Sequence, residues 1–83
     1  MTMATRNDLE DWVAAAIKAN GGKAGIVPIA KHIWDNHEAE LRGSGDLFYT
    51  WGYDIRWAGQ RLQNAGRLKK TKEGARGIWV LLQ

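Results

Sequence analysis

Apolar residues recur with a helical period near the start of the chain. They follow one another at steps of three and one, which places them on a single helix face: Leu9, Trp12, Val13, Ala16 and Ile17. The pattern predicts a helix over residues 8–19. Asn7 with Glu10 three residues later resembles a capping box, and Gly21 and Gly22 end the helix.

A second helical stripe follows a short stretch, residues 24–27, that we expect to be extended. Pro28 suits the first turn of a helix because its φ is fixed and its missing N–H is not needed there. The stripe predicts a helix over residues 28–42 and comprises Ile29, Ala30, Ile33, Trp34, His37 and Leu41. The glycine-rich segment 43–46 breaks it.

A third helix is predicted over residues 50–65. Its apolar face comprises Trp51, Ile55, Ala58, Leu62 and Ala65, and Gly66 follows as the residue that ends the helix. Gly52 and Gly59 lower the helix propensity of this segment. We therefore expect packing against the rest of the protein to hold it.

The last segment changes to the period of a β-strand. Residues 67–72 and 77–82 predict two strands, joined by residues 73–76 with Gly74 in the turn, so that the hairpin spans 67–82. The final strand is apolar on both faces, so its outer face is either covered by the chain or open to a partner. The order of elements predicts an α+β fold and a single domain over residues 1–83. This domain is a three-helix winged helix-turn-helix, with the C-terminal β-hairpin as its wing.

Composition narrows the class of protein. Eighty-three residues suffice for one modest core but not for a second catalytic lobe. The absence of cysteine excludes disulfides and thiolate metal sites. No signal peptide is visible, and no stretch approaches the roughly 20 apolar residues of a membrane span. We expect a soluble, cytoplasmic protein.

Charge is unevenly distributed along the chain. Residues 1–54 hold five Lys or Arg against eight Asp or Glu, a balance of −3, whereas residues 55–83 hold seven against one, a balance of +6. A segregated positive field attracts a polyanion through long-range steering and counterion release. The alternative is a lysine-rich solvated surface with no partner.

The third helix and the wing resemble a known family. The resemblance lies in two segments, residues 55–68 and residues 76–81. The positions that match the family's pattern are Trp57, Leu62, Ala65, Gly66, Leu68, Gly77, Trp79 and Leu81. This third of the chain resembles the N-terminal winged-helix domain of Mrr-type restriction proteins. In that family a nuclease domain usually follows, and we expect none here. The resemblance therefore implies a DNA-reading module without an attached catalyst.

The outer face of the third helix has side chains suited to base edges. It carries Tyr53, Arg56, Gln60, Gln63 and Asn64. Arginine pairs with guanine O6 and N7, and Gln or Asn with adenine N6 and N7. Any amphipathic helix needs a polar outer face, but this one has no carboxylate, since Asp54 falls on a flank. We predict that these residues contact bases or the groove.

Basic residues in and beside the wing are predicted to contact phosphate. They are Arg61, Arg67, Lys69, Lys70, Lys72 and Arg76. Lysines also protect edge strands against aggregation. The wing lysines can therefore have this structural role and contact phosphate as well. Trp57, at the boundary of the apolar face, either packs beneath the wing, which the resemblance favours, or stacks on a base or sugar.

Other chemistries find no support in the sequence. His32 and His37 lie about 140° apart around their helix, so we expect no metal site. The glycine-rich loop is not followed by the Lys-Ser/Thr pair of a phosphate-binding loop. Ser44 has no evident His and Asp partners of the kind that activate a catalytic serine. We expect no enzyme, no cofactor and no small-molecule substrate.

Two functions follow as hypotheses. The first is a DNA-binding winged helix that takes double-stranded DNA, with a role in transcription regulation or in targeting within a restriction-like system. The second is a protein-interaction winged helix, in which the acidic first two helices and the last strand dock a protein partner or form a homodimer.

Overall fold

The computed structural model describes residues 5–82, so residues 1–4 and 83 of the predicted domain lie outside the described part. Three helices precede a β-hairpin, with a short strand between the first two. The elements are α1 Arg6–Ala19, β1 Lys23–Ala24, α2 Ile26–Arg42, α3 Leu47–Asn64, β2 Leu68–Glu73 and β3 Arg76–Leu81. Among these residues no helix combines the length and apolar character that crossing a membrane requires.

The three strands form one antiparallel sheet in the order β1-β3-β2. Strand β1 pairs Lys23 with Val80, so it extends the hairpin on the far side of β3. This arrangement confirms the α+β fold and the winged helix-turn-helix topology, with β2 and β3 as the wing. The strands run closer to the tip than predicted, because Glu73 pairs with Arg76. Only two residues turn the chain, and Gly74 takes the required positive φ of 66°.

Helix α1 begins two residues earlier than the sequence pattern indicated. The predicted capping box of Asn7 and Glu10 is wrong; Thr5 is the N-cap, and its backbone N–H donates to the Asp8 carboxylate at 2.9 Å. The spacing of three is the same, but the pair is shifted by two residues. A polar residue precedes the apolar run at both positions, so the pattern could not decide between them.

Helix α2 also begins earlier, at Ile26, with Gly25 as its N-cap. The expected extended stretch 24–27 is therefore wrong for Ile26 and Val27. Pro28 remains in the first turn, where its missing N–H leaves no hydrogen bond unmade. The helix bends at His37, which has φ −133° and ψ 19°.

Helix α3 starts at Leu47 rather than Thr50, which adds nearly one turn at its N-terminus. Its end follows the prediction: Gly66 has φ 75°, and its N–H donates to the Gln63 carbonyl, while that of Arg67 donates to the Leu62 carbonyl. These two bonds are those of a Schellman motif. Ala65, predicted on the apolar face, is exposed because it lies in this terminating turn.

The core lies where α1, α2 and α3 meet the sheet. Its largest fully buried side chains come from every helix and from β2: Leu9, Val13, Ile17, Ile29, Ile33, Leu41, Ile55, Leu62 and Leu68. Around its edge Trp12 stacks on His37 with ring centroids 3.8 Å apart, and Trp34 stacks on Trp51 at 5.8 Å. The predicted apolar stripes of α1 and α2 are thus buried or half-buried.

The wing is joined to α3 by Trp79 of β3, which packs directly on Gly59. A Cβ at position 59 would lie 2.5 Å from the Trp79 ring, far inside normal contact distance. Glycine is therefore required here for close approach, and its cost in helix propensity is offset by burial of the indole. Trp79 is 7% exposed.

We expect Gly59→Ala to lower the free energy of unfolding by about 1–3 kcal/mol, because the methyl group overpacks the contact with the indole. This loss outweighs the gain of about 1 kcal/mol in helix propensity. Gly52→Ala is the matched control: it lies in the same helix, its Cβ would meet nothing within 4 Å, and we expect it to stabilise. Urea denaturation followed by circular dichroism measures both. Stabilisation by both substitutions would contradict the packing described here.

Candidate nucleic-acid interface

One face of α3 is exposed along its whole length. At about 100° per residue the predicted residues Tyr53, Arg56, Gln60, Gln63 and Asn64 share this face, and each is exposed. No carboxylate lies among them. Asp54 is buried and accepts a hydrogen bond from the Thr50 hydroxyl at 2.7 Å. The outer face of α3 therefore presents donors, amides and a tyrosine, without a negative charge.

Tyr49 belongs to the same face and is not among the predicted site residues. It precedes Tyr53 by about one turn, and the two side chains are 83% and 77% exposed. The predicted helix began at Thr50, which left Tyr49 in a loop. The glycine-rich break ends at Asp46, an acceptable N-cap residue, and this signal indicates the earlier start.

A chain of hydrogen bonds connects the wing to the outer face of α3. The Lys70 ammonium donates to Gln60 Oε1 at 3.4 Å, and Gln60 Nε2 donates to Asn64 Oδ1 at 3.0 Å. Lysine can only donate, so the amide oxygen of Gln60 must face the wing. The amide nitrogen of Asn64 is consequently left to point outward as a donor.

The lysines of β2 divide between the two faces of the wing. Side chains alternate along a strand, so Lys70 and Lys72 share the face of Trp79, while Lys69 lies on the other face. The Lys70 ammonium lies 5.2 Å from the centroid of the Trp79 ring. All three lysines are exposed. The structure thus brings Lys70 and Lys72, but not Lys69, to the side of the sheet that packs on α3.

The carboxylate of Glu73, the sole acidic group of the wing, is held by Lys23 of β1 at 2.8 Å. The hydrogen bond to Glu73, together with its charge, raises the pKa of Lys23 above its ordinary value. The negative charge of the wing is therefore matched locally. In contrast, no carboxylate in residues 5–82 pairs with Arg56, Arg67, Lys69, Lys70, Lys72 or Arg76.

Besides Lys69, two predicted phosphate contacts, Arg61 and Arg67, lie apart from this surface. Arg61 donates to the Glu10 carboxylate of α1 at 3.0 Å. It lies about 100° around α3 from Gln60, toward α1. Arg67 is exposed at the base of the wing, because the next residue, Leu68, pairs with Leu81 at the end of the hairpin far from its tip.

Trp57 packs on α1 and not beneath the wing. Its indole is half-buried between the guanidinium groups of Arg6, 4.5 Å from the ring centroid, and Arg61, at 5.2 Å. It lies about 160° around α3 from Gly59, which receives the wing. The tryptophan beneath the wing is Trp79. The expectation that Trp57 packs beneath the wing is therefore wrong, because this residue projects from α3 toward α1.

A cleft of about 540 Å³ opens beside the outer face of α3. Its lining comes from the first turn of α2, from α3 and from β3. Arg56 of α3 and Arg76 of β3 both line it, together with Trp79. The cleft thus brings a predicted base-contacting residue and a predicted phosphate-contacting residue to one site.

The residues considered for other chemistry have local roles. His37 forms a hydrogen bond through Nδ1 with Glu40 at 2.8 Å, and the buried Ser44 hydroxyl donates to the Glu40 carbonyl. Within the described range 5–82, no three His, Cys, Asp or Glu side chains gather as metal ligands would.

No protein-family model matches the chain, and the searches of curated proteins and of solved structures gave no significant match. The resemblance to Mrr-type restriction proteins accordingly stays a prediction from residues 55–81.

The link between wing and helix can be tested without a ligand. We expect Lys70→Met to shift the side-chain amide resonances of Gln60 and Asn64 in a ¹⁵N–¹H spectrum, because the oxygen of Gln60 loses its donor. Lys72→Met removes the same charge from the same strand face and should leave these resonances in place. Equal spectra for the two variants would show that Lys70 does not orient the amides.

Proposed function

We propose that this chain binds double-stranded DNA as a cytoplasmic module without catalytic activity. The outer face of α3 enters the major groove, and the wing follows the phosphate backbone. The observation that carries the proposal is the adjacency of two surfaces: the carboxylate-free face of α3 and the unpaired cations of the wing meet at the Lys70–Gln60 hydrogen bond.

The dimensions and the chemistry of α3 suit a groove. Its 18 residues correspond to about 27 Å, and the major groove is about 12 Å wide and admits a helix. Arg56 is exposed near the middle of this face, where its fork is suited to guanine. The outward amide nitrogen of Asn64, held by Gln60, offers a donor to acceptors on base edges. The tyrosines at the start of the helix add hydroxyl groups that suit phosphate oxygens.

Charge distribution supports the orientation. Away from the wing, two ion pairs lie within α2, Lys31–Asp35 and Arg42–Glu38, and a third, Arg61–Glu10, joins α3 to α1. The cations left unpaired concentrate on the wing and the adjoining face of α3. A polyanion therefore meets a positive surface on this side. The role we propose is transcription regulation or targeting in a restriction-like system.

The first test is the salt dependence of binding to random duplex DNA. If about five of the wing and adjoining cations contact phosphates, log affinity falls with log salt at a slope of roughly −4 to −5. Lys72→Gln should reduce the slope by about 0.9 and weaken binding to all sequences alike. Lys18→Gln is the matched control, since Lys18 is an exposed lysine at the end of α1. Absence of binding even at low salt would overturn the proposal and favour the protein-interaction alternative.

The second test addresses base reading by Arg56. We expect Arg56→Lys to retain most of the affinity but to lose about 1–3 kcal/mol of discrimination for guanine, because an ammonium cannot pair bidentately. Selection from random duplexes, followed by fluorescence anisotropy on the recovered site, measures this change. Lys72→Gln should leave the preference intact. An unchanged motif in Arg56→Lys would show that this residue does not read bases.

A further inference from the structure

The cleft beside α3 combines apolar walls with two arginines. Ile26, Val27 and Pro28 line one side, and Trp79 lines another. Its volume of about 540 Å³ lies within the range of small-molecule sites. It borders the proposed DNA surface, since Arg56 belongs to both.

Both charged side chains that line the cleft are cationic. Arg56 and Arg76 come from separate elements, and neither forms an ion pair with a carboxylate in residues 5–82. No acidic residue lines the cleft. A planar guanidinium is matched by a carboxylate, which accepts two parallel N–H groups.

We propose that this cleft binds a small organic acid with a flat apolar body. The body lies against Pro28 and Trp79, and the carboxylate lies between Arg56 and Arg76. Charge complementarity selects an anion, and the apolar walls select one that carries hydrocarbon, so that a bare inorganic anion binds more weakly.

A regulatory consequence rests on the proposed DNA binding. Both arginines belong to the surface that we assign to DNA, and an acid that engages them occupies both side chains and lowers the net charge of that surface by one. Acid and DNA therefore compete, and the acid lowers the affinity for DNA without a conformational change. The module would then release DNA in response to such an acid.

The binding site itself is tested without DNA. We titrate the ¹⁵N-labelled protein with 2-naphthoate and follow the indole N–H of Trp79 and the backbone amides of residues 25–27 and 77. For an acid of this size we expect a dissociation constant of roughly 1 mM or tighter. The neutral analogue 2-naphthylmethanol and inorganic phosphate should each bind at least tenfold more weakly. Equal affinity for the neutral analogue would overturn the assignment of the arginines.

Gly77→Val tests the location. Gly77 lines the cleft and lies on the same face of β3 as Trp79, and a Cβ at position 77 meets nothing within 4 Å, so a larger side chain can be introduced beside the cleft without a clash at its Cβ. We expect loss of 2-naphthoate binding with an unchanged fold. Arg76→Ala should weaken binding about tenfold, and the matched control Arg67→Ala should not. Undiminished binding by Gly77→Val would overturn the site.

Competition is measured separately, by anisotropy of labelled duplex with increasing 2-naphthoate at constant ionic strength. Displacement from the native protein and not from Gly77→Val supports the regulatory step. Retention of DNA by a protein saturated with the acid overturns that step. If the native protein fails to bind DNA at all, the proposed function fails, while the titration without DNA still decides whether the cleft binds the acid.

Discussion

Contact between the indole of Trp79 and the backbone of α3 at Gly59 determines how the rest of the molecule is arranged. The hairpin can lie this close to the helix only where no Cβ intervenes. The contact places Lys70, which is paired with Trp79 across the hairpin, within reach of Gln60. It also closes one side of the cleft. The joint surface of wing and helix therefore depends on one glycine and one tryptophan that are 20 positions apart in the chain.

Ion pairing concentrates the unpaired positive charges on one side of this small domain more sharply than the distribution of charged residues along the sequence indicates. Exposed pairs contribute little to stability, but they decide which charges remain available. Carboxylates on α2 pair with Lys31 and Arg42 of the same helix, and Glu10 of α1 draws Arg61 away from the outer face of α3. Glu73 is matched by Lys23. Most cations of residues 5–82 without a carboxylate partner lie on the wing and the adjoining part of α3, which is the side we assign to DNA; Arg6 and Lys18 on α1 are the others.

Much of the fold was predictable from local pattern. The three helical stripes, the Gly66 terminus and the hairpin follow from periodicity and glycine placement, because each depends on neighbours within a few residues. The start of α1 was not predictable to the residue, since adjacent polar residues offer equivalent caps, whereas Asp46 offered a signal for the start of α3. Helix α3 begins three residues before its predicted start, and for this reason the exposed Tyr49 was not predicted to lie on the outer face. Of the candidate site, the face of α3 was predictable from its angular spacing, and five of the eleven residues named for the interface lie on it.

The sequence by itself determined the element order, the positive C-terminal part and the carboxylate-free face of α3. Only the tertiary structure decided that Trp79 and not Trp57 lies beneath the wing, that Arg61 pairs with Glu10, and that Arg56 and Arg76 share a cleft. The physical reason is that periodicity records which way a side chain points from its own element. It contains no information on which residue of another element it meets, because that depends on how closely two surfaces can pack.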